Sequence, residues 1–364
     1  MPRNPPMNIV FPAAGVVRRF GLRDSAGGRG PFPAAWSLNC RLEDSLTNRL
    51  RGGSFTGISA GSRPSSIVYR DRTLTFSGGV VTASRVGDST DTTLSPDLSD
   101  MLRPTLLQFS EASEQSDDVV ALIPHKDHVL LAFTATETWV QQGDPLVSPK
   151  QRISDQVGII GADAWCVAHD TVYFLSSRGL YSVGADGSGL KAISEDVIPE
   201  DLTSVSDASC TLTYQHSDRG VYIHKTGTDW FYDIERSAFW PVDTEEASSH
   251  LLVGPFYLGQ ENSFGRILNL HGNMAMGSAD VTWRIVTADT AEEAAANGKL
   301  AIEAAVAEGD YSSYVKASGA WTAGRSHLAY PRVRAIWCCI WLSAESDWAF
   351  EAVAMTRSMS GRWT

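Results

Sequence analysis

The sequence predicts a mainly β protein, a β-propeller with an extended N-terminal arm and one helical insertion near the C-terminus. Three observations predict it. First, a strand–turn–strand unit opened by an aspartate recurs in mid-chain. It runs Asp127-His128-Val129-Leu130-Leu131-Ala132-Phe133 to Trp139, then Asp170-Thr171-Val172-Tyr173-Phe174-Leu175 to Tyr181, then Asp218-Arg219-Gly220-Val221-Tyr222-Ile223 to Trp230. The opening aspartates lie 43 and 48 residues apart, about the length of one propeller blade. Second, β-branched and aromatic residues, including eleven tryptophans, fill the runs between turns, and such side chains suit a pleated, half-buried surface. Third, the turns carry Gly and small polar residues, as hairpins require, while helical character is confined to one alanine-rich stretch.

Residues 1–35 are rich in Pro, Gly and Arg and lack apolar periodicity, so they are expected to form an extended arm. Residues 36–286 are expected to hold the blades. Trp36 to Leu42 alternates as a strand, and Arg49-Leu50-Arg51-Gly52-Gly53 turns into another. Ser66–Tyr69, Thr73–Phe76 and Gly79–Ala83 make a weaker first blade. Residues 87–118, rich in Ser, Asp and Thr, are expected to be mostly a surface excursion. The clear repeats span 119–242, and a less regular fifth unit is expected over Leu251–Met276. Residues 287–316 form the helical insertion, with a helix from roughly Thr290 to Glu308, interrupted by Gly298 and ended by Gly309. Residues 317–364 return to strand and close the fold, and propeller closure by both chain ends would bring 36–58 close to them.

The chain has 364 residues and a net charge of −12, distributed unevenly. Residues 1–72 carry 11 arginines, no lysine and 4 acids, whereas 73–324 hold 14 basic and 35 acidic residues. An arginine-rich arm on an acidic body suits association between copies or with an acidic partner. The acidic body disfavours tight DNA binding. Five cysteines without a CxxC pair are expected to be buried free thiols. Neither a secretory leader nor an apolar run of transmembrane length is evident, so synthesis in a cytoplasm without membrane insertion is expected.

Candidate chemistry is sparse. His125 and His128 are three apart, and His169, His216 and His224 sit near equivalent points of their repeats; solvated turn tips explain them better than a metal centre. Paired acids such as Asp163 with Asp170, or Glu195-Asp196 with Glu200-Asp201, would suit glycoside chemistry only at a fixed separation, and 42 acids make neighbours common by chance. A phosphate-loop motif is absent from the sequence. Ala185-Asp186-Gly187-Ser188-Gly189 lacks the ligand spacing of a calcium loop and is expected to be a hairpin turn. The expectation is a protein that is not an enzyme and has no catalytic residue, metal or cofactor.

Several stretches together resemble the β-propeller tail proteins of short-tailed bacteriophages, the packaged-DNA stabilisation and tail-nozzle family. They are Trp36-Ser37-Leu38-Asn39 with Arg49-Leu50-Arg51-Gly52-Gly53, and Asp127–Phe133 with Glu137-Thr138-Trp139. Gly158-Ile159-Ile160-Gly161 leading to Asp170–Tyr181 is similar to another blade of that family. Trp230-Phe231-Tyr232-Asp233, Trp240, Pro331-Arg332-Val333-Arg334 and Gly361-Arg362 continue the likeness. It covers 36–242 and the last 35 residues. The family's Gly-Cys pair has Ile159 in place of Cys.

The resemblance implies a virion structural protein of a phage tail, a nozzle or gatekeeper ring below the portal and adaptor. Its partners would be copies of itself, commonly six, a portal or adaptor protein, a tail fibre or spike protein, and double-stranded DNA passing without tight binding. On this reading Arg18, Arg19, Arg23 and Arg29 form an assembly arm, Trp36, Arg49 and Arg51 make ring or partner contacts, and the turn acids Asp127, Asp170 and Asp218 face DNA. The alternative is a propeller module that binds or hydrolyses host cell-surface polysaccharide.

Overall fold

A computed structural model describes residues 7–9, 34–38, 40–42, 50–52, 63, 65–77, 79–110, 117–125, 128–184, 186–194, 198, 202, 205–243, 248–259, 263–322 and 326–363. The fold is mainly β. Its contacts divide the chain into two compact units, a continuous one over Ile58–Gly227 and a discontinuous one made of Met1–Gly57 with Thr228–Thr364.

Four short strands come first, β1 (Met7–Ile9), β2 (Ala34–Leu38), β3 (Cys40–Leu42) and β4 (Leu50–Gly52). The continuous unit then opens with β5 (Ser66–Tyr69), β6 (Arg72–Ser77), β7 (Val80–Ala83) and β8 (Thr105–Gln108), an antiparallel sheet in sequence order. A second follows from β9 (Val119–His125), β10 (Val129–Thr134), β11 (Thr138–Gln142) and β12 (Lys150–Ser154). A third uses β13 (Trp165–Ala168), β14 (Thr171–Ser176), β15 (Gly179–Gly184) and β16 (Lys191–Ala192). The antiparallel pair β17 (Thr211–Gln215) and β18 (Gly220–His224) completes the unit. Residues 87–118 are therefore only in part an excursion, because Thr105–Gln108 return to pair with β7.

Burial explains the strand sequences. Every residue of β10 is buried, so Val129-Leu130-Leu131-Ala132-Phe133 reads as a continuous apolar run rather than an alternation. Leu74, Val81 and Leu107 of the first sheet pack with Leu122, Leu130 and Trp139 of the second. Phe133 meets Phe174 of the third at 4.7 Å between ring centroids. Burying one such side chain contributes about 1.5–3 kcal/mol.

The discontinuous unit is built differently. Its later elements are β19 (Asp229–Asp233), β20 (Ala238–Val242), β21 (Ser249–Tyr257), β22 (Ser263–Met274), β23 (Val281–Ala288), α1 (Ala291–Val306), β24 (Val315–Trp321), β25 (Ser326–Ala329), β26 (Arg334–Ala335), β27 (Trp337–Ala344) and β28 (Trp348–Trp363). One five-stranded sheet runs β2-β21-β27-β23-β24. A seven-stranded sheet runs β25-β22-β28-β4-β3, with β1 on β28 and β26 on β22. The two chain ends do pair: Met7 is opposite Met355, and Gly52 opposite Trp348. The expected fifth unit over 251–276 is not a single hairpin sheet, since β21 and β22 enter different sheets.

Helix α1 starts at Thr290, whose hydroxyl accepts from Glu293 N at 3.1 Å, satisfying one orphan donor of the first turn. Ala294, Ala301 and Ile302 pack on Leu252, Cys339 and Trp341. Gly298 does not interrupt the helix. A Cβ there would lie 2.6 Å from Leu252 Cδ2, so the glycine is what lets helix and sheet approach.

Candidate functional site: the repeated acidic turns

The turn between the first and second strands is described in the first and third sheets of the continuous unit and in its β17–β18 pair, and its backbone explains its residues. Between Tyr69 and Arg72, which pair across the hairpin, only Arg70 and Asp71 remain, with φ of 49° and 57°. Two left-handed residues match the twist of the flanking strands, and Asp tolerates that region better than most. His169 and Asp170 occupy the same place between Ala168 and Thr171, with His169 at φ 55°. The turn from His216 to Arg219 joins Gln215 to Gly220, with Arg219 at φ 52°.

Asp170 and Asp218 thus lie where the repeat put them, at equivalent turns. Asp170 is 72% exposed and its Oδ1 is 3.8 Å from Nε2 of the buried His125. Asp218 is half-buried and accepts from Tyr222 Oη at 2.7 Å and from Ser217 Oγ at 3.2 Å. Asp127 lies outside the described residues. A fourth turn acid, Asp71, escapes the repeat spacing because residues 85–104 stretch its distance to Asp127. Its signal is present in Asp71-Arg72-Thr73-Leu74-Thr75-Phe76, which has the acid-then-strand pattern.

Each turn also carries a base or an imidazole: Arg70 beside Asp71, Lys126 and His128 flanking Asp127, His169 beside Asp170, Arg219 beside Asp218. At Asp71, Asp127 and Asp218 a base thus stands beside the acid, while Asp170 has an imidazole beside it. Aromatic rings lie in the same region. Tyr214 Oη is 3.4 Å from His169 Nε2, and its ring is edge-on to both His169 and His216.

The Glu137-Thr138-Trp139 motif has a concrete role in the second sheet. Glu137 accepts from Trp139 Nε1 at 2.8 Å and from Arg152 Nη1 at 2.9 Å, while Arg152 lies 5.7 Å from the Trp139 ring. It clamps the turn between β10 and β11 onto β12.

Trp36 sits on β2 opposite Leu252, and Arg51 on β4 opposite Arg41 and Ala349. Both belong to the discontinuous unit, whereas Asp170 and Asp218 belong to the continuous one. Arg18, Arg19, Arg23, Arg29 and Arg49 lie outside the described residues.

Among the described residues no three His, Cys, Asp or Glu side chains are grouped to hold a metal ion, and no helix is long and apolar enough to cross a membrane. All five cysteines are buried thiols. Burial pushes the Cys166 and Cys338 thiols up to about 12 and Cys339 well above its usual range, so these three are not poised as nucleophiles.

No protein-family model and no curated protein matches the sequence. Among solved structures, the extracellular domain of BT4673 from B. thetaiotaomicron is similar at 10% identity and TM-score 0.33, over 57% of this chain and 27% of that one. The matched region thus spans about a quarter of that longer chain. PorZ, a surface component of the type-IX secretion system of Porphyromonas gingivalis, is similar at 14% identity and TM-score 0.26, over 51% and 23%. The AfRom2 CNH domain is similar at 9% identity and TM-score 0.30, over 63% and 79%.

Proposed function

We propose that this chain is a structural, non-catalytic component of a phage tail, a nozzle or gatekeeper ring that forms or closes the DNA exit channel and offers surface to fibres. In this reading the four-stranded sheets are blades of a propeller. The observation that carries it is the location of the family-like motifs. The Glu137–Trp139 and Asp170–Tyr181 stretches lie in two successive four-stranded sheets, and Glu137 spends its carboxylate on holding such a sheet together.

Charge supports the passage of DNA without capture. Lys and Arg contacts to phosphate supply most non-specific affinity, and residues 73–324 hold 35 acids against 14 bases. The bases beside Asp71, Asp127 and Asp218 reduce their share of the repulsion, whereas the exposed Asp170 keeps its own.

Sedimentation velocity and negative-stain imaging of the purified chain test the proposal. A ring is expected. A chain that stays monomeric at high concentration, or that hydrolyses purified host polysaccharide, overturns it.

A further inference from the structure

The loop between β7 and β8 is held in place with unusual thoroughness for an excursion. Arg72 is fully buried, and its guanidinium donates to the carbonyls of Ser84 at 2.8 Å, Arg103 at 2.7 Å and Met101 at 3.2 Å. Arg85 pairs with Asp100 at 2.8 Å. Val86 N donates to Leu102 O, and Arg85 N to Asp91 O. So firmly held a loop nevertheless leaves Leu94 52%, Leu98 76%, Met101 56% and Leu102 49% exposed. Beside it, Val68 (69% exposed) and Leu106 (48%) share the outward face of the first sheet, through the register Val68–Thr73 and Thr75–Thr82–Leu106. Ordering a loop costs conformational entropy, and exposed Leu and Met side chains on it return none of that cost. Large apolar side chains left exposed on one ordered loop mark an interaction surface.

The loop is acidic: Asp88, Asp91, Asp97 and Asp100 outnumber its two arginines, Arg85 and Arg103. An occupant should therefore be apolar and cationic. This chain contains such a segment: residues 10–33 hold four arginines against one aspartate, and Val16-Val17-Arg18-Arg19-Phe20-Gly21-Leu22-Arg23 interleaves guanidinium groups with apolar side chains. Arginine suits carboxylates, through its planar fork of donors.

We propose that the Arg85–Arg103 loop, with Val68 and Leu106, is a docking ledge for residues 10–33 of a second copy of this chain. The inference rests on the self-assembly part of the function proposed above and is independent of the tail. Apolar contact with Leu98 and Met101 supplies affinity, and the aspartates of the loop select the arginine-rich segment.

The test uses full-length chain with Arg18→Glu, Arg19→Glu and Arg23→Glu, which leaves the ledge unoccupied, titrated with a fluorescent peptide of residues 10–33. Saturable binding is expected, weakened at least about tenfold by L98D/M101D and weakened again by raising salt from about 0.05 to about 0.5 M. Both substituted side chains are exposed, and an unchanged thermal melt, or the milder L98S/M101S pair, guards against misfolding. Peptide binding that is absent, or indifferent to the ledge substitutions, overturns the proposal. So do cross-links from arm to ledge that join only light to light and heavy to heavy chains in an isotope-mixed sample. Sedimentation separates this failure from that of the function: a wild-type monomer sinks the self-assembly reading, whereas rings that persist in L98D/M101D sink only the ledge.

Discussion

Arg72 and Asp144 form an ion pair at 3.7 Å in which only one partner meets solvent, the arginine side chain being fully buried and the aspartate 30% exposed. Burial lowers the arginine's proton affinity, and Asp144 and Asp100 oppose that shift. The guanidinium also donates from Nη1 to the carbonyls of Ser84 and Arg103 and from Nη2 to that of Met101. Its Tyr69 neighbour makes a parallel link, donating from Oη to Gly143 O at 2.9 Å. The first sheet is thereby tied to the turn that follows β11.

Replacing Arg72 by Met should cost about 3 kcal/mol, because it strips donors from the buried Ser84 carbonyl and from the part-buried carbonyls of Arg103 and Met101, as well as the partner of Asp144. Urea unfolding measures the loss, and limited proteolysis should find new cuts between residues 85 and 104. Asp144→Asn should cost only about 1 kcal/mol, since the carboxylate is partly solvated. Equal effects would contradict the asymmetry of the pair.

Gly298→Ala should destabilise although alanine is the better helix former. The propensity gain is about 1 kcal/mol, but the new Cβ would lie 2.6–2.8 Å from the two methyls of the buried Leu252, an overpacking worth about 1–3 kcal/mol. A net loss of about 1 kcal/mol in urea unfolding is expected. Adding Leu252→Val should recover part of it, and strict additivity of the two changes would count against the contact.

The buried thiols set the alkaline limit of stability. Ellman's reagent at pH 8 should find no reactive thiol in the folded chain and five after denaturation. Cys166 and Cys338 are pushed up to about 12 from 9.0, so above about pH 9 the unfolded chain releases protons that the folded chain keeps. Stability should then fall with rising pH, at about 1.4 kcal/mol per pH unit for each such thiol, until the folded groups titrate near 12. Cys166→Ala should flatten that slope in urea midpoints taken from pH 8 to 10.

These features divide by how far apart in the chain their causes lie. The second and third sheets are legible because strand pattern and turn chemistry repeat within a few residues, as in Asp170–Tyr181. The third copy is legible too, as β18 and β19, although it straddles the boundary of the two units at Gly227. The return of β8 is hidden, since four residues with alternate exposure carry little pattern. Pairings such as Met7 with Met355 leave no local trace at all. Gly298 reads as an interruption because a glycine in a helix shows its cost in the sequence while its reason, Leu252, sits 46 residues away. Arg72 looks like any strand arginine; only tertiary structure reveals that loop carbonyls surround it.

Acid should act through the Asx turns. Asp207 accepts from both the backbone and the hydroxyl of Ser209 and of Thr226, which holds its carboxyl far below the usual range. A depressed folded pKa contributes stability that is present above the unfolded value near 4 and is lost as pH falls below it. Asp207→Ala should therefore remove part of the acid-limb slope in melts between about pH 4 and 2, and leave the slope above pH 5 unchanged. An unaltered acid limb would show that the hydrogen bonds do not persist in solution.

The Glu137 clamp offers the sharpest test of how the repeated motif works. Its carboxylate is 13% exposed and its partner Arg152 is 23% exposed, so the pair is screened less than a surface ion pair. Glu137→Ala leaves the Trp139 indole N–H and the Arg152 guanidinium without that acceptor, at a cost of about 2–3 kcal/mol. Glu137→Gln should recover part, because an amide oxygen still accepts from one donor but carries no charge for the other. A double-mutant cycle with Arg152→Met isolates the ion pair from the indole bond. If the clamp acts as a unit, removing Arg152 first should shrink the effect of Glu137→Ala by about 1 kcal/mol or more. Independent effects would mean that Trp139 alone is what holds Glu137, and that the conjunction of Glu and Trp in this motif serves the indole and not the neighbouring strand.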